Sequence, residues 1–409
     1  MMEQTTLNDA PRSVRVHIGI FGRRNAGKSS LINAVAGHDV SIVSDMAGTT
    51  TDPVYKSIEL AGIGPCVLID TAGFDDTGEI GRLRTEKTGL AVKKTDVALL
   101  LTAADSWTEP ADHSDEKEWL NDLKKNGITV LLVFSKCELA GQEALSAAEA
   151  YFGEKAWSFS AVTRQGVEGL RGEILRLLPA DLGEDSLLGD MVTAGDTVLL
   201  VMPQDIQAPK GRLILPQVQT LRELLDKKCL AMCCVTEKMG EALSAMTTPP
   251  KLIITDSQAF KTVFAQKPAE SMLTSFSVLQ AGYKGDLPTL IEGAKAIGAL
   301  TPHSRVLIAE ACTHAPIKED IGREKIPAIL RKRFPGIDIR FVRGTDYPES
   351  LEGTDLVIHC GGCMFNRAFM MNRIRETKDR GVPITNYGVF LAACAGILED
   401  VDWPGKPER

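Results

Sequence analysis

Apolar positions along this chain follow two rhythms. Continuous apolar runs, VRVHIGIFG (14–22), PCVLID (65–70), DVALLLTAAD (96–105) and ITVLLVFSK (128–136), have the length and composition of buried strands. Between them lie HSDEKEWLNDLKKNG (113–127) and GVEGLRGEILRLLP (166–179), where apolar residues return every three or four positions on a charged background, the period of an amphipathic helix. AWSFSAVT (156–163) reads as one more strand. Buried strands alternating with such helices predict an α/β fold around a parallel-type sheet covered on both faces.

After Pro179 the pattern lapses into the acidic, Gly-containing ADLGEDSLLGDM (180–191), a linker. A second, smaller α/β unit opens near Thr193 with GDTVLLVMP, the helix TLRELLDKK and the strands CLAMCCVT and KLIITDS. AQKPAES (265–271) marks the next, weaker boundary. A third α/β unit follows, with SRVLIAEACTH, REKIPAILRKRF, IDIRFV, TDLVIHCGGC and VPITNYGVFLAACAG. The expected domains are therefore 10–180, 190–265 and 266–409.

Composition narrows the classes of partner. A chain of 409 residues exceeds one ordinary core, and 44% hydrophobic with 24% charged residues is a globular balance. The net charge of −8 disfavours non-specific binding to nucleic acid or anionic membrane, so neither is expected as a partner. MMEQTTLNDAPRS lacks the basic and apolar regions of an export signal, and no apolar run approaches the roughly 18 residues of a membrane span. With nine cysteines, an odd number, the reading is a cytoplasmic protein with reduced thiols.

The strand VRVHIGIFG leads into GRRNAGKSS, in which Gly22, Gly27, Lys28 and Ser29 fit G-x-x-x-x-G-K-[ST]. Glycines let backbone N–H groups wrap phosphates, Lys28 reaches the β/γ-phosphates and Ser29 ligates Mg²⁺. VLIDTAG supplies D-x-x-G: Asp70 holds Mg²⁺ through water and the Gly73 N–H senses the γ-phosphate. AGTTTD lies between the two motifs, where a switch threonine closes over Mg²⁺. Thr50 is the choice, Thr49 the alternative. Lys136 and Glu138 of SKCE stand where guanine is read, and Ser160 and Ala161 of FSAVT where its O6 meets the backbone. SKCE departs from Asn-Lys-x-Asp: Ser135 cannot reproduce an asparagine amide, so a weakened guanine preference is expected. Phe74 stands where a water-orienting glutamine is usual, which predicts slow intrinsic hydrolysis.

Cys312 and His314 form C-x-H after one strand, and Cys360 and Cys363 form C-x-x-C after another. Both pairs fall just beyond strand ends, where parallel α/β sheets carry their sites. Gly361 and Gly362 let backbone approach closely, and His359 abuts Cys360. Tetrahedral Cys₃His zinc and a three-cysteine iron–sulfur cluster fit these ligands equally. Cys66, Cys229, Cys233, Cys234 and Cys394 read as core residues, while His17, His38, His113 and His303 suggest no partner.

A GTPase domain of the TrmE/Era type, an α/β middle unit and C-x-H…H-C-x-x-C, in that order over nearly the whole chain, resemble the HydF family of FeFe-hydrogenase maturation GTPases. The resemblance implies a GTPase domain, a dimerisation domain and an iron–sulfur cluster-binding domain. It implies a 4Fe–4S cluster on Cys312, Cys360 and Cys363, with His314, His359 or a carboxylate such as Glu310 as fourth ligand. It further implies a homodimeric scaffold on which two radical-SAM enzymes assemble a di-iron precursor with CO, cyanide and a dithiolate, which then passes to apo FeFe-hydrogenase. Likeness to the TrmE-type domain implies that Asn25 holds K⁺ beside the phosphates of GTP. A second reading is a K⁺-dependent GTPase acting on RNA, with a structural zinc.

Overall fold

The computed structural model describes residues 15–36, 43–44, 54–60, 64–71, 89, 91–108, 111–178, 186–203, 213–310, 321–344, 346–348, 350–362 and 365–406. Residue contacts divide the chain into two compact units, 1–183 and 184–409.

The first unit is built on seven strands: β1 (Val16–Gly22), β2 (Val43–Ser44), β3 (Val54–Leu60), β4 (Gly64–Asp70), β5 (Val97–Ala103), β6 (Thr129–Ser135) and β7 (Ala156–Phe159), in the order β2-β3-β4-β1-β5-β6-β7. From β4 to β7 neighbours are parallel, while β3 runs antiparallel to β4, and β2 to β3. Successive side chains of a strand point to opposite faces. Ile18, Ile20, Leu99 and Leu101 accordingly meet Leu31 and Ile32 of α1 (Lys28–Ala36) and Leu170 and Ile174 of the helix Val167–Leu177. Phe21, Ala98 and Leu100 face the other way, onto Leu120, Leu123 and Phe152. Both faces are thus covered, which explains why β1 and β5 read as continuous apolar runs.

The second unit holds two four-stranded, all-parallel sheets. One is β11-β10-β8-β9, from β8 (Thr197–Val201), β9 (Leu230–Cys234), β10 (Leu252–Thr255) and β11 (Met272–Ser275). The other is β13-β12-β14-β15, from β12 (Arg305–Glu310), β13 (Asp338–Arg343), β14 (Leu356–His359) and β15 (Ile384–Asn386). The first of these sheets runs past the boundary expected at 265–271, because that stretch is the crossover between β10 and β11. Leu199, Ile253 and Leu273 of one sheet and Val306, Ile308 and Val357 of the other belong to one continuous apolar core.

β9 is an edge strand, and Leu230 is 64% exposed on it. Cys233, expected in a core, is exposed there too, because an apolar run on an edge strand reads in sequence like a buried one. No helix among the described residues is long and apolar enough to cross a membrane.

Candidate functional site

The first site begins where β1 stops. Gly22 has φ +150°, and a Cβ there would come within 2.8 Å of the Leu101 carbonyl oxygen, so the turn into the loop requires glycine. Asn25 (φ 60°) is left-handed and Gly27 has φ +87°; α1 starts at the next residue. Lys28 is buried and donates from Nζ to the carbonyl oxygens of Gly22 and Arg23, each at 2.7 Å. The loop therefore closes around its own lysine at a helix N-terminus, the place where phosphate oxygens are bound.

Ser29 Oγ donates to Asp70 Oδ2 at 3.4 Å, joining the two residues expected on Mg²⁺. Burial pushes the Asp70 carboxyl up, and Lys28, Lys56 and the Ser29 hydroxyl pull it back. A divalent cation at this point would relieve the cost of burying the charge. Thr71 Oγ1 donates to the Ile20 carbonyl at 2.6 Å and ties the end of β4 to β1.

The base-reading end rests on β6 and β7. Ser135 is buried, and its Oγ donates to the Ala26 carbonyl at 2.7 Å. The serine expected only to weaken base recognition thus ties this strand end to the phosphate loop. Lys136 (φ 55°) pairs with Asp105 at 2.8 Å on the surface, and Glu138 is exposed in the short turn Cys137–Leu139. Ser160 is buried, its N–H donating to the Gln165 carbonyl and its Oγ accepting from Thr163 N–H, both at 3.0 Å; Ala161 follows in this turn. Thr49, Thr50, Gly73 and Phe74 lie outside the described residues.

Sequence reasoning missed one network here. Arg23 of the phosphate loop lies 3.3 Å from the buried Glu116 carboxylate, which pairs with His113 Nδ1 at 2.8 Å. The His113 ring stacks on Trp107 at 3.8 Å. His113 and Glu116 sit three apart at the start of the helix Ser114–Lys125, a spacing that could have signalled the pair.

The second site begins where β14 stops. Ala309 stands opposite His359, and Cys360 N–H donates to the Ala309 carbonyl at 2.9 Å, so the ends of β12 and β14 lie side by side. β12 ends on Glu310, two residues before Cys312. Cys312, His314 and Cys363 themselves lie outside the described residues. Gly362 (φ +59°) admits no side chain, since a Cβ would lie 2.3 Å from Met370 Sδ, while a Cβ on Gly361 would meet nothing within 4 Å.

Two expected fourth ligands are engaged elsewhere. His359, 2% exposed, has Nδ1 2.7 Å from the Cys360 carbonyl oxygen and Nε2 3.0 Å from Arg373 Nη1. A guanidinium only donates, so Nε2 accepts and Nδ1 carries the proton. In this arrangement neither nitrogen is available to a metal, and His359 positions the loop instead. The Glu310 carboxylate is held by Arg323 through bonds of 2.7 to 3.1 Å and lies 3.3 Å from Arg343 Nε.

Two buried cations, neither singled out by the sequence, surround the turn. Arg373, in the helix Arg367–Asp379, also donates to the Gly344 carbonyl, and its guanidinium lies over the rings of Tyr347 (4.8 Å) and Phe369 (4.6 Å). Lys284, at the end of the helix Phe276–Lys284, donates to the carbonyls of Gly362 (3.3 Å) and Phe365 (2.9 Å). A cavity of about 10 Å³, room for one water, lies among Gln280, Lys284, His359, Cys360, Gly361 and Asn386. A thiol just past a strand end and cations bonded around its turn suit a sulfur-rich, anionic group.

Residues 17–136 match the family of 50S ribosome-binding GTPases, residues 187–285 the hydrogen maturase F dimerization domain, and residues 288–401 the hydrogen maturase F tetramerization domain. The tRNA modification GTPase MnmE of Janthinobacterium sp. (strain Marseille) is 38% identical over 40% of this chain and 34% of its own length. MnmE of Chromobacterium violaceum is 35% identical over 40% of this chain and 35% of its own. The chain thus spans about a third of these curated relatives. Among solved structures, Aquifex aeolicus Era is similar at 19% identity and a TM-score of 0.34, covering 56% of this chain and 98% of its own.

The phosphate loop, the Asp70 strand end and the sheet that carries them make the first unit a P-loop GTPase domain, which binds GTP and Mg²⁺. Joined to it are two oligomerisation domains known from hydrogenase maturases. The chain belongs to the hydrogen maturase F (HydF) family.

Proposed function

We propose that this protein is a GTP-hydrolysing scaffold that holds a 4Fe–4S cluster on Cys312, Cys360 and Cys363, accepts the di-iron precursor of the hydrogenase active site, and transfers it to apo FeFe-hydrogenase. Two radical-SAM enzymes assemble the precursor. Residues 10–180 hydrolyse GTP, the middle domain dimerises, and the C-terminal domain carries the cluster.

The observation that carries this reading is the pairing of β12 with β14. It brings the strand end before Cys312 beside Cys360, in a sheet whose parallel strands all end on the same edge. A cluster bound by three thiolates keeps one iron open to a weaker ligand, which suits a cargo that must leave. With His359 and Glu310 engaged, His314 or another carboxylate of this chain supplies the fourth ligand.

In the GTPase domain Thr50 and Gly73 close on the γ-phosphate, and its loss relaxes the switch segments and changes docking of the maturation partners. Asn25, held left-handed within the phosphate loop, carries K⁺ beside the phosphates. The exposed apolar edge of β9, an edge strand among the described residues, is the surface for a second copy, since an unpaired edge strand recruits another strand.

The test is iron, zinc and acid-labile sulfide per chain after anaerobic reconstitution, for wild type and Cys360→Ser. Four irons with matching sulfide, sharply reduced in the variant, are expected. One tightly held zinc without sulfide would favour the RNA-directed GTPase reading, which the similarity to tRNA modification GTPases supports. Hydrolysis rates equal in K⁺ and Na⁺ would remove the role given to Asn25.

A further inference from the structure

Lys284 and Arg373 reach the Cys360 turn from different helices, and both are 2% exposed or less. Burying a cation is costly, and a charge kept inside a fold acts on its neighbours through a low effective dielectric. Arginine cannot shed its proton in a protein, so Arg373 is a permanent charge. Its guanidinium lies over the rings of Tyr347 and Phe369, which fixes where that charge sits, and it donates to His359, the neighbour of Cys360. Lys284 clamps carbonyls that flank position 363 in the sequence, one before it and one after. It also lines the cavity that Cys360 lines. In that lining, Gln280 Oε1 is buried with no hydrogen-bond partner among the described residues.

We infer that Lys284 and Arg373 form a buried cationic cradle that makes the group held by Cys360 easier to reduce. The inference rests on the cluster reading above. Reduction adds one electron, taken from a low-potential external donor, and one negative charge; no bond forms and no proton moves. Positive charge on Arg373 and Lys284 stabilises the reduced state more than the oxidised one, so the cradle raises the midpoint potential. A loop clamp without an electrostatic role would leave the potential unchanged.

The experiment is an EPR-monitored titration with dithionite and mediators on the full chain, reconstituted anaerobically. Wild type is compared with Lys284→Met, which removes a charge, and Gln280→Glu, a near-isosteric change that adds an opposing one beside the intact clamp. GTP hydrolysis by the other unit, with circular dichroism, monitors folding.

With wild-type iron and sulfide in both variants, the reduced-to-oxidised ratio at a given potential is expected to fall about tenfold, a midpoint about 59 mV more negative. Unchanged midpoints in both variants overturn the inference. If Lys284→Met takes up no iron, Gln280→Glu alone decides by the same criterion. Loss of iron from both leaves the pair a structural role only and also overturns it. A wild-type chain that binds no iron–sulfur cluster defeats the underlying reading instead.

Discussion

Lys28 and Lys284 do a similar local job in two different loops. Each is a buried lysine that donates to two carbonyls of a glycine-containing turn after a buried parallel strand. The phosphate loop carries its own lysine, six residues from Gly22. The Cys360 turn borrows its lysine from a helix 78 residues away in sequence from Gly362. The first turn can be read as a motif because its charge, glycines and helix start are contiguous. The second shows only its cysteines, and what surrounds them is a product of tertiary packing.

The largest effects should separate the two turns. Lys28→Ala is expected to lower GTP hydrolysis by about 10²- to 10³-fold, as loss of a positioned charge at a transferring phosphate does. Iron content should stay unchanged. Phosphate release and iron assays on the same preparation check both halves, and a parallel loss of iron would mean that the turns are not independent.

Glycine substitutions sharpen the comparison next. Gly362→Ala combines a left-handed backbone with a clash against Met370 Sδ, and should destabilise by about 1–3 kcal/mol. Gly22→Ala meets a backbone oxygen, which cannot swing aside as a thioether can. Thermal unfolding should therefore show the greater loss for Gly22→Ala, and the reverse order would contradict these geometries.

A smaller effect concerns Ser135. Removing its hydroxyl leaves the Ala26 carbonyl without this donor, and Ser135→Ala should weaken GTP binding by about 1 kcal/mol, roughly fivefold. Titration with a fluorescent GTP analogue measures this; unchanged affinity would reduce the Ser135 tie to mere proximity.

The smallest near neutral pH is a titration. Burial raises the Asp70 carboxyl, so its protonated form persists to higher pH than in an ordinary aspartate. Mg²⁺ needs the ionised form. Mg²⁺ affinity should then fall on acidification, starting at a higher pH than an unperturbed carboxylate would give. Asp70→Asn should lower affinity and flatten that dependence, as isothermal titration across pH would show.

Much of the fold was legible because strands buried on both faces announce themselves, as β1 and β5 do. The first unit's motifs mapped onto strand ends for the same reason. The misreadings share a cause in long-range structure. The stretch 265–271 looks like a linker because Pro268 and small residues also make crossovers. Cys233 looks buried because an apolar run on an edge strand reads in sequence like a buried one. His113 shows no partner in the sequence because Glu116 matters only once Arg23 is folded against it. Arg373 and Lys284 were missed because neither belongs to any local pattern around the cysteines.

The apolar core shared by the two sheets of the second unit has a consequence for dissecting the molecule. Cutting between residues 285 and 288, where one maturase match ends and the next begins, would part Leu273 and Ile253 from Val306 and Val357. Each fragment would carry half of a core to water and be prone to aggregate. Amides of β8, β10, β12 and β14 should exchange with solvent as a single block, so these two halves were built to live or unfold together.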